Sequence, residues 1–565
     1  MTPRTMRTLL ACAALAGPLH AQAPNPPAAQ APADLIVTAA RIYTVDQTRP
    51  LVTAIAVRDG HIVFAGSMAE AGALRGERTR IVDLAGHTVI PGMVDAHFHF
   101  MGVGAALRIV DLVGTRSEDE VVQRAAARAR EVRAGEWIRG RGWNQNEWAD
   151  TRFPTNEALS HAVANNPVVL TRVDGHALWV NARALQLARI TATTRDPEGG
   201  RILRNPDGSP TGVLVDRAMH LVARVVPPPS LEEQRAQALA TLAEANRWGL
   251  TGVHDAGVDS GTIALYEELA RAGRFPLRNY VMIREDSATL EHLLARGPQI
   301  ALYNGRLWIR AIKLAADGAL GSRGALLLED YSDEPGNHGL AVTRADVIHR
   351  TAVRALQTGF QLTVHAIGDG ANRATLDAFE AALRQVPAAD HRFRIEHAQV
   401  IHRHDIPRFA RLGVIPSMQA SHQTSDAPMA MNRLGWTRVQ GAYAWRSLLN
   451  TGVVIPNGSD APVEHWNPLI SFHSALTRQD ANGWPAGGWF PAERMTREEA
   501  LMGMTIWPAH AAFMERESGS LSPGKYADFV VLDQDIMTCA PERILDTRVL
   551  MTVLGGEVVY ERREP

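Results

Sequence analysis

Two histidines stand two residues apart in "PGMVDAHFHF", His97 and His99, just after Asp95 closes an apolar run. The side-chain period of an extended strand is two, so both imidazoles project from one face while Phe98 and Phe100 take the other. Two imidazoles on one face can share a metal ion. Two ordinary polar residues at a strand end would read the same way, so the pair alone decides nothing. Further along, Lys313 lies in "RAIKLAADG", His365 in "LTVHAIGDG", His397 in "RIEHAQ" and Asp460 in "NGSDAP", each in or just after an apolar, strand-like run. Any one of these is readily a hydrogen-bonded structural residue. Six at strand ends, in this order, are hard to explain that way. The 58 basic residues include only two lysines, Lys313 and Lys525, so a lysine inside an apolar strand departs from the chain's habit of using arginine.

Those residues need elements to position them. Near the N-terminal end "DLIVTAARIYTV", "TAIAVRDGHIVFAG" and "TRIVDLAGHTVIPG" alternate like short strands, with a hairpin signal at Asp59 and Gly60. The C-terminal "GKYADFVVLDQDI" and "RVLMTVLGGEVVYE" have the same character, the latter turning at Gly555 and Gly556. Neither end has strands enough for a core of its own, so residues 34–88 and 515–565 are expected to meet in one composite β-sandwich. Between them, residues 89–514 alternate apolar strands with amphipathic helical stretches. The strand candidates are "TVIPGMVDAH", "GLTGVHDAG", "LRNYVMI", "WIRAIKLAADG", "FQLTVHAIGDG", "RFRIEHAQV", "GVIPSMQASH" and "GVVIPNGSDAP". Eight such units make an α/β (β/α)₈ TIM barrel, whose active site forms at the C-terminal strand ends. Residues 101–248 are far too long for an ordinary connection after strand one, and are expected to cap the mouth.

With these residues in view, the chain resembles the amidohydrolase superfamily of metal-dependent hydrolases. "VIPGMVDAHFH", "IKLAADGALGSR", "LTVHAIGDGA", "RIEHAQ", "NGSDAPV" and "GSLSPGKYADFVVLD" carry the resemblance, with "RGWNQNEW" and "DGHALWVNARAL" in the insertion. They point to the YtcJ-like or amidohydrolase-3 branch, which includes N-substituted formamide deformylases. The resemblance implies a centre of two divalent metal ions, most readily Zn²⁺. His97, His99 and Asp460 would hold the more buried ion, and His365 and His397 the more exposed one. Lys313 would bridge them as a carboxylated lysine, because an ammonium has no lone pair for a cation while a buried neutral amine can take up CO₂. A bridging hydroxide would attack the substrate's carbonyl, with Asp460 carrying its proton to the departing amine.

Other residues carry less. His254, His176 and Trp143 are candidates for lining a substrate pocket, although structural hydrogen bonding or packing suits each of them as well. Arg323, in "ADGALGSRGA", could recognise substrate or join Asp317 in a loop-stabilising ion pair. His402 and His404 read as surface residues of a helix, and "NGWPAGGWF" as a flap over the mouth or a packed loop.

The totals exclude more than they establish. A formal net charge of -2 offers no general attraction to nucleic acid or anionic lipid, and no Gly-rich phosphate loop follows a strand. A small-molecule substrate is expected, and oligomeric state is not readable. Arg4 and Arg7 precede an apolar stretch from Leu9 to Gly17, the pattern of a cleaved signal peptide over residues 1–21, with a Pro/Ala tether over 22–33. This implies a periplasmic or secreted enzyme, and its apolar core is too short to span a bilayer. Removal of that segment takes Cys12 and leaves Cys539 alone, so no internal disulfide can form. The expected function is hydrolysis of a C–N bond in a small N-formyl or N-acyl amine. Lactone, ester or phosphotriester hydrolysis is the alternative on the same site. A non-catalytic periplasmic binding protein is a third reading, which the complete ligand set opposes.

Overall fold

The computed structural model describes residues 31–284 and 287–563. The signal-peptide segment and most of the Pro/Ala tether lie outside the described residues.

Both ends of the chain build one eight-stranded sheet. Leu35–Tyr43, Leu51–Arg58, His61–Gly66, Arg80–Asp83 and Thr88–Pro91 come from one end, and Phe529–Leu532, Val549–Leu554 and Glu557–Glu561 from the other. The seam is an antiparallel pairing of Thr88–Pro91 with Phe529–Leu532, Ile90 opposite Val530. The two hairpins turn where left-handed backbone is needed, at Asp59 and Gly60 (φ 50° and 74°) and at Gly555 and Gly556 (φ 60° and 77°). One face of the sheet buries Val37, Ile42, Ile55, Ile62, Val89 and Phe529 in a shared core.

Gly92 divides what reads in sequence as one strand. Thr88–Pro91 stays in the end-domain sheet, while Met93–Phe98 starts the barrel. A Cβ at Gly92 would lie 2.2 Å from Thr251 Oγ1, so only glycine passes this junction without a shift. Seven parallel barrel strands follow in order: Met93–Phe98, Leu250–Val258, Arg278–Arg284, Leu307–Ala315, Gln361–Ala366, Arg394–His397 and Ile415–Ser417. The eighth position is filled by the irregular segment through Asn457 and Asp460, which bridges strand seven at Met418 and strand one at Phe98. Backbone bonds Ala96 N–H to Asn457 O (3.1 Å), Gly458 N–H to Met418 O (3.0 Å) and Asp460 N–H to His97 O (2.7 Å) close the barrel there.

The insertion folds as an α/β cap. Its six-stranded sheet runs Gly200–Arg204, Pro210–Asp216, Ala177–Val180, Val168–Arg172, Ile138–Trp143, Val110–Asp111, over a core that includes Trp143, Trp148, Trp179 and Leu159. The chain leaves the barrel through helix Phe100–Ala106 and returns through Leu231–Arg247, which opens on a Ser230/Glu233 capping box. These two helices meet so closely that a Cβ on Gly104 would sit 2.3 Å from Gln237 O. Among the described residues no helix is long and apolar enough to cross a membrane.

Candidate metal centre

His97, His99, Lys313, His365, His397 and Asp460, drawn from strands one, four, five, six and eight, all line one cavity of about 630 Å³ at the C-terminal strand ends, beneath the cap. Asp95 ties strand one to strand eight: its carboxylate accepts from His97 N–H (3.1 Å), Ser459 N–H (3.0 Å) and Ser459 Oγ. A Cβ on Gly458 would reach 2.5 Å from His97 N, so the strands can approach this closely only at glycine. His97 and Asp460 are thereby neighbours, although 363 positions apart in the chain. His397 and Asp460 both have positive φ (72° and 57°), which turns the chain off the strand line and aims each side chain at the cavity.

The nitrogens are sorted by their partners. His97 Nδ1 faces Glu396 Oε2 at 2.5 Å, His99 Nδ1 the carbonyl of Ala256 at 3.0 Å and His397 Nδ1 Gln419 Oε1 at 2.8 Å. Each such acceptor takes the Nδ1 proton and leaves the Nε2 lone pair free, as a metal-bound imidazole requires. His99 Nε2 lies 3.0 Å and His97 Nε2 3.5 Å from Asp460 Oδ1, a buried oxygen with no hydrogen-bond donor. Three lone-pair atoms converging with no proton between them is the arrangement a divalent cation resolves. The residues fit such an ion. A second convergent trio, His397, His422 and Asp460, shares the aspartate. His365 is in ring contact with His397 at 4.5 Å, its own Nε2 turned toward Gly318 O (3.4 Å) and Asp317 Oδ1 (3.5 Å).

Electrostatics keep His97 and Asp460 in ligand form. Burial, helped by the charge of Lys313, pushes His97 down to about 4, so its imidazole is neutral at pH 7. Burial lowers Lys313 to about 8 against the pull of Glu396 and Asp460; its Nζ lies 3.2 Å from His97 Nε2. Burial alone would raise Asp460, but hydrogen bonding from His422 to its other oxygen, Oδ2, holds it well below the usual carboxylate range. Burial also pushes Glu396 up, and the charge of Arg394 together with the hydrogen bond from His97 more than offsets it, so Glu396 stays an anion. His176 and His422 rise to about 9 and about 10 despite burial, because Asp216 backs the first, and Asp460 and Glu464 back the second.

The weaker sequence candidates separate here. His176, from the cap, enters the cavity: its ring lies 5.1 Å from that of His365, and its Nδ1 is 2.7 Å from Asp216 Oδ1. Trp143 does not. It has no exposed surface, its Nε1–H donates to Leu170 O at 3.0 Å, and it packs against Trp148, Phe153 and Trp179. Its strand turns it into the cap core. His254 lies inside the barrel below the site, its Nδ1 2.9 Å from Arg394 Nη1, so an arginine separates it from any substrate. Arg323 pairs with Asp333 (3.0 Å) and Glu334 (3.2 Å) rather than with Asp317. Asp317 is wholly buried and accepts from the backbone of Leu326, Ile367 and Gly368. His402, half-buried, and His404, exposed, lie ahead of helix Ile406–Leu412, not on it. In the Gly-rich aromatic stretch Trp484 is exposed, while Trp489 packs on Tyr443 and Phe490.

Sequence reading missed Glu396, His422 and Glu464. His422 closes the run "GVIPSMQASH" but sits in the first turn of helix Ala420–Val439, beyond the end of strand seven at Ser417, so a search confined to strand ends passes over it. Glu396 was obscured by adjacency, because alternation puts a residue next to His397 on the opposite face. The turn at His397 lets both point inward.

A model of the amidohydrolase family matches residues 80–560. The chain is 32% identical over 529 residues to a putative amidohydrolase, YtcJ, of Bacillus subtilis, covering 92% of this chain and 98% of the relative. It is 30% identical over 557 residues to an N-substituted formamide deformylase of Arthrobacter pascens, covering 94% and 98%. A solved structure of an uncharacterized metal-dependent hydrolase from Pyrococcus furiosus superposes with a TM-score of 0.70 at 28% identity, covering 89% of this chain and all of that one.

Proposed function

The chain belongs to the amidohydrolase family, and on that premise we propose that it is a metal-dependent hydrolase of a C–N bond in a small N-formyl or N-acyl amine. The observation that carries the reading is the buried, donor-free Asp460 Oδ1 beside the Nε2 atoms of His99 and His97, at 3.0 and 3.5 Å. His97, His99 and Asp460 would hold one divalent cation and His365 and His397 a second, with Lys313, carboxylated, between them. Zinc suits the nitrogen-rich donor set. Such ions would supply Lewis acidity, making water nucleophilic near neutral pH and a carbonyl more electrophilic.

The chain's own groups do the rest. Asp460 accepts the proton of the attacking water and passes it to the amine nitrogen as the C–N bond breaks, since an unprotonated amine leaves poorly. His422, with Nε2 3.5 Å from Asp460 Oδ2 and Nδ1 3.1 Å from Glu464, keeps that carboxylate ionised and aligned. The cap closes the mouth over a second cavity of about 600 Å³, walled in part by Ile109, Val110, Leu320, Met429 and Trp466, room for a small substrate with an apolar portion. We read the protein as exported, on the strength of Arg4, Arg7 and the apolar stretch that follows them; N-terminal sequencing of protein from the periplasm or medium tests this.

The deciding experiment is metal analysis of the purified protein with a screen of amides, esters, lactones and phosphotriesters. Chelator-sensitive amide hydrolysis is expected, reduced about 10²–10⁴-fold in Asp460→Asn. Wild-type turnover in folded Asp460→Asn, or a clear preference for esters or phosphotriesters, would refute the proposal.

A further inference from the structure

Arg141 lies on the cap strand Ile138–Trp143 and lines both the metal cavity and the adjoining substrate cavity. Its side chain is held in place by two backbone carbonyls, Nη2–H donating to Val173 O at 2.8 Å and Nε–H to Pro462 O at 3.4 Å. Pro462 is two residues beyond Asp460, so the guanidinium is fastened beside the proposed proton carrier. Of its five N–H donors, both on Nη1 remain unused, and no carboxylate among the described residues lies within ion-pair distance of it.

The neighbouring arginine and histidines of the cap and mouth are paired. Arg172 is paired with Asp174, His176 with Asp216 and His422 with Glu464. Asp426 accepts from Gln399 Nε2 and the Tyr443 hydroxyl, both at 2.6 Å. A half-buried guanidinium facing a cavity without a counter-ion is unfavourable unless something else brings the negative charge. Burial does press on this cation, lowering its pKa, with Asp460 and Asp174 the nearest opposing charges. Both are already engaged, Asp460 with the histidines and Asp174 with Arg172.

We propose that Arg141 is a specificity residue that receives a carboxylate carried by the substrate close to the scissile amide, so that the preferred substrates are N-acyl amino acids with apolar side chains. The planar fork fits a carboxylate through two parallel hydrogen bonds, which an uncharged amide cannot match. The apolar wall at Val110, Met429 and Trp466 takes the side chain. The inference rests on the amide-hydrolase reading above and narrows its substrate class.

The test compares N-formyl-leucine with N-formyl-leucinamide, which differ in one charge, following formate release by the metal-loaded enzyme and by Arg141→Met and Arg141→Lys. The wild type should favour the acid by about 10- to 100-fold in kcat/KM. Arg141→Met should bring that ratio close to one, chiefly through KM, and Arg141→Lys should restore part of it. In parallel, N-formyl-leucine should raise the melting temperature of the wild type and not of Arg141→Met. Equal turnover of acid and amide by the wild type, or a ratio unchanged by Arg141→Met, overturns the carboxylate site and leaves the amidase reading intact. Absence of formate release with Arg141-dependent stabilisation by the acid would do the reverse. Loss of both signals refutes both.

Discussion

Glu396→Gln removes one charge from beneath the metal centre and leaves the side chain's shape nearly unchanged. Glu396 is fully buried, with Oε2 2.5 Å from His97 Nδ1 and Oε1 2.7 Å from Arg394 Nε. Two consequences differ in size. Arg394 keeps its hydrogen bonds to Ala96 O (2.7 Å), Ser417 Oγ (2.8 Å) and His254 Nδ1 (2.9 Å), but loses the only carboxylate within ion-pair distance among the described residues. Stranding one member of a buried pair costs about 3–5 kcal/mol. Against the ~5–15 kcal/mol that holds a domain together, the barrel survives, with its melting temperature lowered by roughly 5–10 °C. The second consequence is on the ligand: a neutral amide orients His97 but makes it less basic, and loss of such a partner lowers metal affinity about 10–100-fold. Melting of metal-stripped wild type and variant, followed by circular dichroism, reads the first effect. Competition with a chromophoric zinc chelator reads the second. A variant that melts within about 1 °C of wild type and competes equally for zinc would show that Glu396 neither compensates Arg394 nor supports His97, and the reasoning would fail.

Lys313→Met should reduce bound metal from two ions per chain to one or fewer; reconstitution of metal-stripped wild type should quicken with added bicarbonate while the variant does not respond, and indifference of the wild type to bicarbonate would refute the carboxylated bridge. Trp143→Ala should destabilise the cap by about 3–5 kcal/mol, seen as earlier proteolysis and melting, with KM at 25 °C changed less than about twofold because the ring does not reach the cavity. A large rise in KM with unaltered melting would return Trp143 to the substrate pocket.

Much of the architecture is legible because periodicity is a local property. The apolar strand runs, the turn residues at Gly60 and Gly556 and the length of residues 101–248 are each read without knowing what packs on them. Boundaries were less legible: "TVIPGMVDAH" looks like one strand, and only the approach of Thr251 to Gly92 shows why the chain changes sheets there. Strand eight is apolar enough to be recognised, yet Pro456, Gly458 and the positive φ of Asp460 leave it as single bridges rather than a ladder.

The site divides along the same line. Residue type and position at strand ends single out His97, His99, Lys313, His365, His397 and Asp460 as candidates, and they line one cavity because a barrel delivers every strand end to one face. What packing alone decided is which way neighbours point. Trp143 and His176 both lie on the cap, but one turns into its core and the other into the cavity. His254 ends a strand like His365 and is shut off by Arg394. Arg141 looks like any of the chain's many arginines until its surroundings show that no carboxylate among the described residues answers it. Sequence specifies the groups and their order along the chain. Burial, counter-charges and free lone pairs belong to the environment, which exists only once distant segments have come together.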